Sequence, residues 1–332
     1  MTVNRQVLLA SRPQGAVSEA NFRIVEVPMP RPAEGEVLVR NRWLSLDPYM
    51  RGRMSDAKSY VPPVAIDAVM VGQTVGEVLE SRAAGVAVGD MVLTQLGWQT
   101  HGVARASDVT RIDAQHAPAS YYLGVLGMPG ITAWFGLREI GQPKAGETVV
   151  VSAASGAVGS VVGQLAKSMG CRTVGIAGGR AKCDYVVREL GFDACVDHRA
   201  GKLHDDLAAA CPGGVDVDFE NAGGPVLDTV LRLMNRYGRV VVCGLIADYD
   251  TAQPYGYTRV RSILVNRLRV QGMIVFDWKD RYGEAVAGLA DLLAQGRLKY
   301  RESIVDGLDN APRALIGLLK GENFGKQLVR LA

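Results

Sequence analysis

The 332-residue sequence is short of the side chains that staple small secreted folds or hold structural metals: it has five cysteines and four histidines. The cysteines (Cys171, Cys183, Cys195, Cys211, Cys243) are odd in number, form no C-x-x-C pair and all fall in the second half. That usage predicts reduced thiols, with neither a disulfide framework nor a zinc lobe. Runs of one charge are missing too. Lys and Arg total 37 against 34 Asp and Glu, a formal charge of +3, and the dispersed cations argue against nucleic acid as a partner. Only four apolar residues, Val7 to Ala10, precede Ser11-Arg12-Pro13, too few for the core of a secretory signal, so the expected location is cytoplasmic. One uncharged stretch, Thr148 to Ala166, has about the length of a membrane span. Ser152, Ser155, Gly156, Gly159, Ser160, Gly163 and Gln164 interrupt it and it opens on Thr148-Val-Val-Val151, which predicts a buried strand, a turn and a packed helix with no membrane partner.

The chain is long enough for about two domains. Its first part reads as short strands broken by turn residues: Glu36 to Arg40, Gly72 to Val78, and Val86 to Asp90 followed by Met91 to Leu93. Such spacing suggests a small barrel or sandwich. From about Gly127 the texture changes to β-branched runs at Val149–Val151, Arg172–Ala177, Val215–Phe219, Arg239–Cys243 and Leu268–Val275, separated by helix-like stretches. That alternation predicts an α/β domain with a parallel sheet. Near the end, Tyr282 to Gln295 has helical spacing, and Ser303-Ile-Val305 and Gln327-Leu-Val329 read as strands that rejoin the first domain.

The segment Thr148 to Gly163 has the order strand, glycine turn, helix, with Ala154-x-Gly156-x-x-Gly159 in the turn. This is a variant of the dinucleotide fingerprint, in which small residues let the backbone approach a pyrophosphate at a helix N-terminus. A tight βα connection packed on small residues would also account for it. The next β-run ends in Gly178-Gly-Arg-Ala-Lys-Cys183, without the acid that would hold the ribose 2′-hydroxyl of NAD. Arg180 and Lys182 instead offer positive charge where a 2′-phosphate would sit, which points to NADP, although both also fit a solvated helix face.

Several further motifs occur in order: Leu46-Asp-Pro-Tyr-Met-Arg51, Gly124-Val-Leu-Gly-Met-Pro-Gly-Ile-Thr-Ala-Trp134, Ser155 to Gln164, Asp218-Phe-Glu-Asn-Ala-Gly-Gly224 and Gly321-Glu-Asn-Phe-Gly-Lys326. With them the sequence resembles the medium-chain dehydrogenase/reductase superfamily, and within it the zinc-independent leukotriene B4 dehydrogenases, prostaglandin reductases and 2-alkenal or enone reductases. The resemblance implies a GroES-like, β-barrel-type N-terminal domain over 1–126, a Rossmann domain over 127–296, and a segment, 297–332, that returns to the first. It also implies a homodimer, NADPH as hydride donor, and an α,β-unsaturated carbonyl as substrate. By the same resemblance Gly156, Ala157, Val158 and Gly159 match the pyrophosphate loop, and Lys182 a lysine that meets the 2′-phosphate. His198 stands where the family often has a tyrosine near the adenosine. Asn221 matches an asparagine beside the cofactor; Cys243, Gly244, Leu245, Ile246, Ala247, Asp248 and Tyr249 match a loop near the nicotinamide. Met273, Ile274 and Val275 match a segment also lining it, and Asn323 a C-terminal asparagine that reaches back to it.

No cysteine accompanies His101 or His116, and Asp47-Pro48 lies where a zinc enzyme would place its first ligand, so no metal is expected. Hydrogen-bond donors must then meet the carbonyl oxygen as it gains charge. The nicotinamide ribose hydroxyl and Tyr49 are the candidates; Tyr49 resembles the family's substrate-contacting tyrosine and is the catalytic candidate of the chain, though a core aromatic after a proline turn is an ordinary reading of it. Some members carry a tyrosine linked to the proton step where this chain has Val265; Tyr255, Tyr257 or water remain as donors. An NADPH:quinone reductase, or an NADPH-binding protein without catalysis, would share the cofactor motifs.

Overall fold

The computed structural model describes residues 3–251 and 253–331, and every element and count below refers to these. They form two compact units, one comprising the chain up to Gly124 and again from Glu302, the other Val125–Arg301.

In the first unit β1 (Val3–Leu9) and β2 (Phe22–Pro28) pair antiparallel. A larger sheet is built around β3 (Glu36–Ser45), with β4 (Thr74–Ser81), β5 (Met91–Thr94), β6 (His101–Arg105) and β7 (Thr110–Arg111). Strand alternation gathers Val37, Val39, Val78 and Val92 into one fully buried cluster. The expected strand Val86–Asp90 is instead the turn before β5: Gly85 and Gly89 have φ of 83° and 90°, the left-handed conformation that only glycine adopts at no cost. After β3 the chain turns through Pro48 into the short helix α1 (Tyr49–Arg53), pinned to the core by the buried Met50 and Met54.

The second unit opens with α2 (Met128–Phe135), then winds a six-stranded parallel sheet. Its strands are β8 (Thr148–Ser152), β9 (Arg172–Ala177), β10 (Ala194–Asp197), β11 (Val215–Glu220), β12 (Met234–Val242) and β13 (Arg269–Gly272), in the order β10-β9-β8-β11-β12-β13. Crossovers are made by α3 (Gly159–Ser168), α4 (Arg180–Arg188), α5 (Leu203–Ala210) and α6 (Gly224–Leu233), with α7 (Ile246–Tyr249) and α8 (Arg261–Asn266) between β12 and β13, and α9 (Tyr282–Ala294) closing the unit. This is the Rossmann order, whose strand order reverses between β8 and β11. All five residues of β8 are buried, as expected of a strand covered by helices on both faces. No helix among the described residues is long and apolar enough to cross a membrane; Thr148 to Ala166 lies in β8, the turn and α3.

The chain then re-enters the first unit with β14 (Glu302–Asp306), α10 (Ala311–Leu319) and β15 (Lys326–Arg330). β15 pairs parallel with β14 and antiparallel with the end of β3, Trp43 to Ser45, completing a seven-stranded sheet.

Candidate functional site

At the reversal point β8 runs out at Ser152 and the chain bends through Ala153, whose φ is 49°. The turn is then pressed against itself: a Cβ on Gly159 would lie 2.5 Å from the Ala153 carbonyl oxygen, and one on Gly156 3.1 Å from it. Gly156, Ala157 and Val158 stay partly exposed ahead of α3, where unpaired backbone N–H groups and the helix dipole favour an anion. The cradle is of the kind a pyrophosphate enters and a larger side chain would fill.

One strand outward, the Gly178-Gly179 turn is held by Asp197, whose Oδ1 accepts from the Gly179 N–H at 2.8 Å and the Arg199 N–H at 2.9 Å. Those bonds hold the Asp197 carboxyl below the usual carboxylate range. A Cβ on Gly178 would meet Arg199 Nε at 2.9 Å and His198 Nε2 at 3.0 Å, so glycine is what admits both side chains. Lys182, on the first turn of α4, is pulled below its ordinary pKa by burial and then by the Arg199 charge; His198 is lowered by the same two causes. Three basic groups thus crowd one pocket at a cost that a dianion would relieve. Arg180 is not one of them: its side chain is 89% exposed and lies 3.8 Å from Asp184. Arg199 joins Lys182 and His198 beside Gly178, and its place in Asp197-His-Arg199 is the sequence signal for it.

At the end of β11, Glu220 is fully buried, and its Oε1 accepts from the Ser152 hydroxyl at 2.5 Å and from the N–H groups of Ala222 at 2.5 Å and Gly223 at 2.9 Å. Asn221 is bound to β8 across the reversal point: its backbone N–H donates to Ser152 Oγ at 2.7 Å and its side-chain amide to the Ser152 carbonyl at 2.9 Å. Cys243 follows β12, and burial, then Glu220, pushes its thiol up to about 12, which leaves it a neutral packing residue. Gly244 and Leu245 lead into α7, where Tyr249 Oη accepts from the Leu245 N–H at 3.3 Å. Asp248 fastens the following loop, accepting from the Tyr255 N–H at 3.1 Å and the Tyr257 hydroxyl at 3.2 Å. The Tyr255 hydroxyl donates to Asp228 at 3.2 Å, so neither phenol considered for the proton step is unengaged. Ile246 and Ala247 are only partly covered, whereas Met273 is buried with its thioether against Gly136, and Ile274 and Val275 follow it out of β13. All the cofactor candidates of this unit therefore gather at the carboxyl ends of the parallel strands, where doubly wound folds bind ligands.

Tyr49 and Asn323 belong to the first unit. Tyr49 opens α1 against the apolar core, and burial, then the Asp47 charge, raises its phenol well above the ordinary tyrosine pKa. Arg51 donates to the Gly15 carbonyl at 2.8 Å and is structural. Asn323 donates to the Gly325 carbonyl at 2.7 Å and lines an open cleft of about 520 Å³ with Ser303, Val305, Asp306, Ala314 and Gln327. His101 contacts Thr100, and His116 contacts Asp113. Val265 is 52% exposed on α8. Among the described residues no group of three or more His, Cys, Asp and Glu is arranged to hold a metal ion.

Residues 5–112 match the family described as an N-terminal domain of oxidoreductase, and residues 157–291 the family described as zinc-binding dehydrogenase. The chain is 48% identical over 335 residues to the NADPH-dependent curcumin reductase of Escherichia coli, covering 99% of this chain and 97% of that one. It is 40% identical to the NADP(+)-dependent 2-alkenal reductase of Nicotiana tabacum, covering 99% and 98%. The chain belongs to the medium-chain dehydrogenase/reductase family of alkenal and prostaglandin reductases. Among solved structures, this reductase superposes on CurA of Vibrio vulnificus in complex with NADPH with a TM-score of 0.95, 50% identity and 99% coverage of both chains. The Escherichia coli quinone oxidoreductase, at 21% identity and a TM-score of 0.79, shares its fold.

Proposed function

We propose that this reductase binds NADPH at the β8–β11 reversal point and reduces the carbon–carbon double bond of α,β-unsaturated aldehydes and ketones without zinc. The observation that carries the cofactor half is the cluster of Lys182, His198 and Arg199 beside Gly178-Gly179, at the end of the strand after the glycine turn, which supports a 2′-phosphate as its ligand. Gly156 to Gly159 would hold the pyrophosphate, and Asn221, Cys243 to Tyr249 and Met273 to Val275 would border the nicotinamide. The substrate half rests on the curcumin, alkenal and prostaglandin reductase relatives.

Bound NADPH supplies a hydride to the substrate β-carbon. What the chain must do is stabilise the carbonyl oxygen as it takes on enolate charge, and Tyr49 is suited to that task. A phenol is protonated across the physiological range, and burial and the Asp47 charge disfavour its ionised form further, so Tyr49 is a hydrogen-bond donor there. With Tyr255 and Tyr257 bonded to Asp228 and Asp248, and an apolar Val265, water is assigned as the proton source for the α-carbon. Five free cysteines and the need for NADPH fit a cytoplasmic enzyme. The open edge of β13 fits a homodimer.

The test is NADPH oxidation by chelator-treated enzyme offered a medium-chain 2-alkenal, an alkenone and a simple quinone, with NADH in parallel. The expected result is NADPH-selective turnover of the two unsaturated carbonyls. Turnover of the quinone alone would make the protein a quinone reductase. NADPH binding without any turnover would make it a binding protein.

A further inference from the structure

Lys326 opens β15 and is 1% exposed, one of the largest side chains withdrawn from solvent. Its ammonium donates to the Leu46 carbonyl at 2.6 Å and to Asp47 Oδ1 at 2.6 Å. The other Asp47 oxygen accepts the Ser45 hydroxyl. A second carboxylate faces Lys326 from the neighbouring strand: Glu302 is its register partner on β14, and its Oε2 accepts from Ser120 Oγ at 3.0 Å. Burial pushes the Lys326 pKa down, opposed by Asp47 and Glu302, and the ion pair is closed off from solvent, its two side chains 1% and 8% exposed. Stability does not require this, because an apolar pair of similar volume generally serves a core at least as well.

What an apolar pair cannot do is grip a corner at two points. Lys326 bonds one backbone carbonyl and one side chain of consecutive residues. The Asp47 carbonyl accepts the Met50 N–H at 3.1 Å, and the Pro48 carbonyl accepts the Arg51 N–H at 3.1 Å. The clamped residues are therefore those that launch α1, whose first residue is Tyr49. Asp47 also acts on the Tyr49 phenol directly, disfavouring its ionised form.

We propose that Lys326 and Asp47 are positioning residues for the Tyr49 hydroxyl, fixing the Leu46–Tyr49 corner so that the phenol meets the substrate carbonyl oxygen. This rests on the reading of Tyr49 as the carbonyl donor. A positioned donor works only while it is there to be positioned, so the pair matters to turnover through Tyr49 and not independently of it.

A double-mutant comparison tests this. Lys326→Met with Asp47→Asn replaces the pair by neutral residues of similar size and is measured in the wild-type and Tyr49→Phe backgrounds, with NADPH Kd by cofactor fluorescence and kcat and KM on a 2-alkenal. The expected result is an unchanged NADPH Kd, a kcat about tenfold lower or more with wild-type Tyr49, and a further change below about twofold once Tyr49 is Phe. Equal losses in both backgrounds, or full kcat without the pair, would overturn the proposal while leaving Tyr49 its role. An unchanged kcat in Tyr49→Phe alone would remove the role of Tyr49 and the proposal together. Should the neutral pair fail to fold, Lys326→Arg keeps the charge but displaces the corner, and the same comparison decides, with loss of kcat only while Tyr49 is present.

Discussion

Asp218 stands between Val150 and Val240 in the middle of the parallel sheet, unexposed and with neither carboxyl oxygen hydrogen-bonded. Burial, and Glu220 two residues on, push its pKa well up, so the native protein keeps the side chain neutral. The unfolded chain ionises near pH 4. Stability contributed by holding that proton is therefore complete only below the unfolded pKa and is lost as pH rises toward the folded value. Asp218→Val, matching its neighbours, is expected to raise unfolding free energy by about 1–3 kcal/mol, with a larger gain at pH 8 than at pH 5 in denaturant titrations; equal gains would mean the carboxyl does not titrate between the two states. At the cofactor pocket the expectation is opposite in kind. Lys182→Ala is expected to weaken NADPH binding about tenfold or more, the loss of a charge-assisted hydrogen bond, while NADH binding stays within about twofold. Equal losses for both cofactors would contradict the assignment of the 2′-phosphate.

Among the elements, α3 shows how closely the glycine turn is packed. A Cβ on Gly163 would lie 1.7 Å from the Phe192 ring, so Gly163→Ala forces helix or ring to move. It is expected to cost about 1–3 kcal/mol and to lower Tm, with Phe192→Leu partly restoring it. The strands of the second unit were legible because a doubly covered sheet demands continuous Val-rich runs, as in Thr148-Val-Val-Val151. β10 was not read from the sequence: it is four residues long, carries Cys195 and Asp197, and buries only Val196 fully. Val86–Asp90 has the alternation of a strand, but Gly85 and Gly89 at positive φ make it a turn. At the site, local motifs exposed the glycine turn and Lys182, whose chemistry is carried by neighbours in sequence. Partners far apart in sequence left no such trace. Ser152 and Glu220 are 68 residues apart and Asp47 and Lys326 279 apart, and only the fold brings either pair together. Arg199 is visible as a base next to His198 in Asp197-His-Arg199, but its approach to Gly178 is set by the fold.

For the whole molecule, the Rossmann sheet ends on β13, whose four residues are exposed and whose outer edge is unpaired among the described residues. Val270 on that strand and Phe276 just after it are 42% and 51% exposed, an apolar edge of the kind a second copy covers. Val270→Lys is expected to convert a dimer to a monomer in sedimentation velocity; an unchanged sedimentation coefficient would place any interface elsewhere. The claim that joins cofactor pocket, Tyr49 and fold is hydride transfer to the β-carbon, and it is tested most directly by following the label from NADPH deuterated at the transferring C4 position into a 2-alkenal. The account predicts one deuterium at the β-carbon of a saturated aldehyde, with the α-hydrogen taken from solvent. Deuterium at the carbonyl carbon of an allylic alcohol would contradict it.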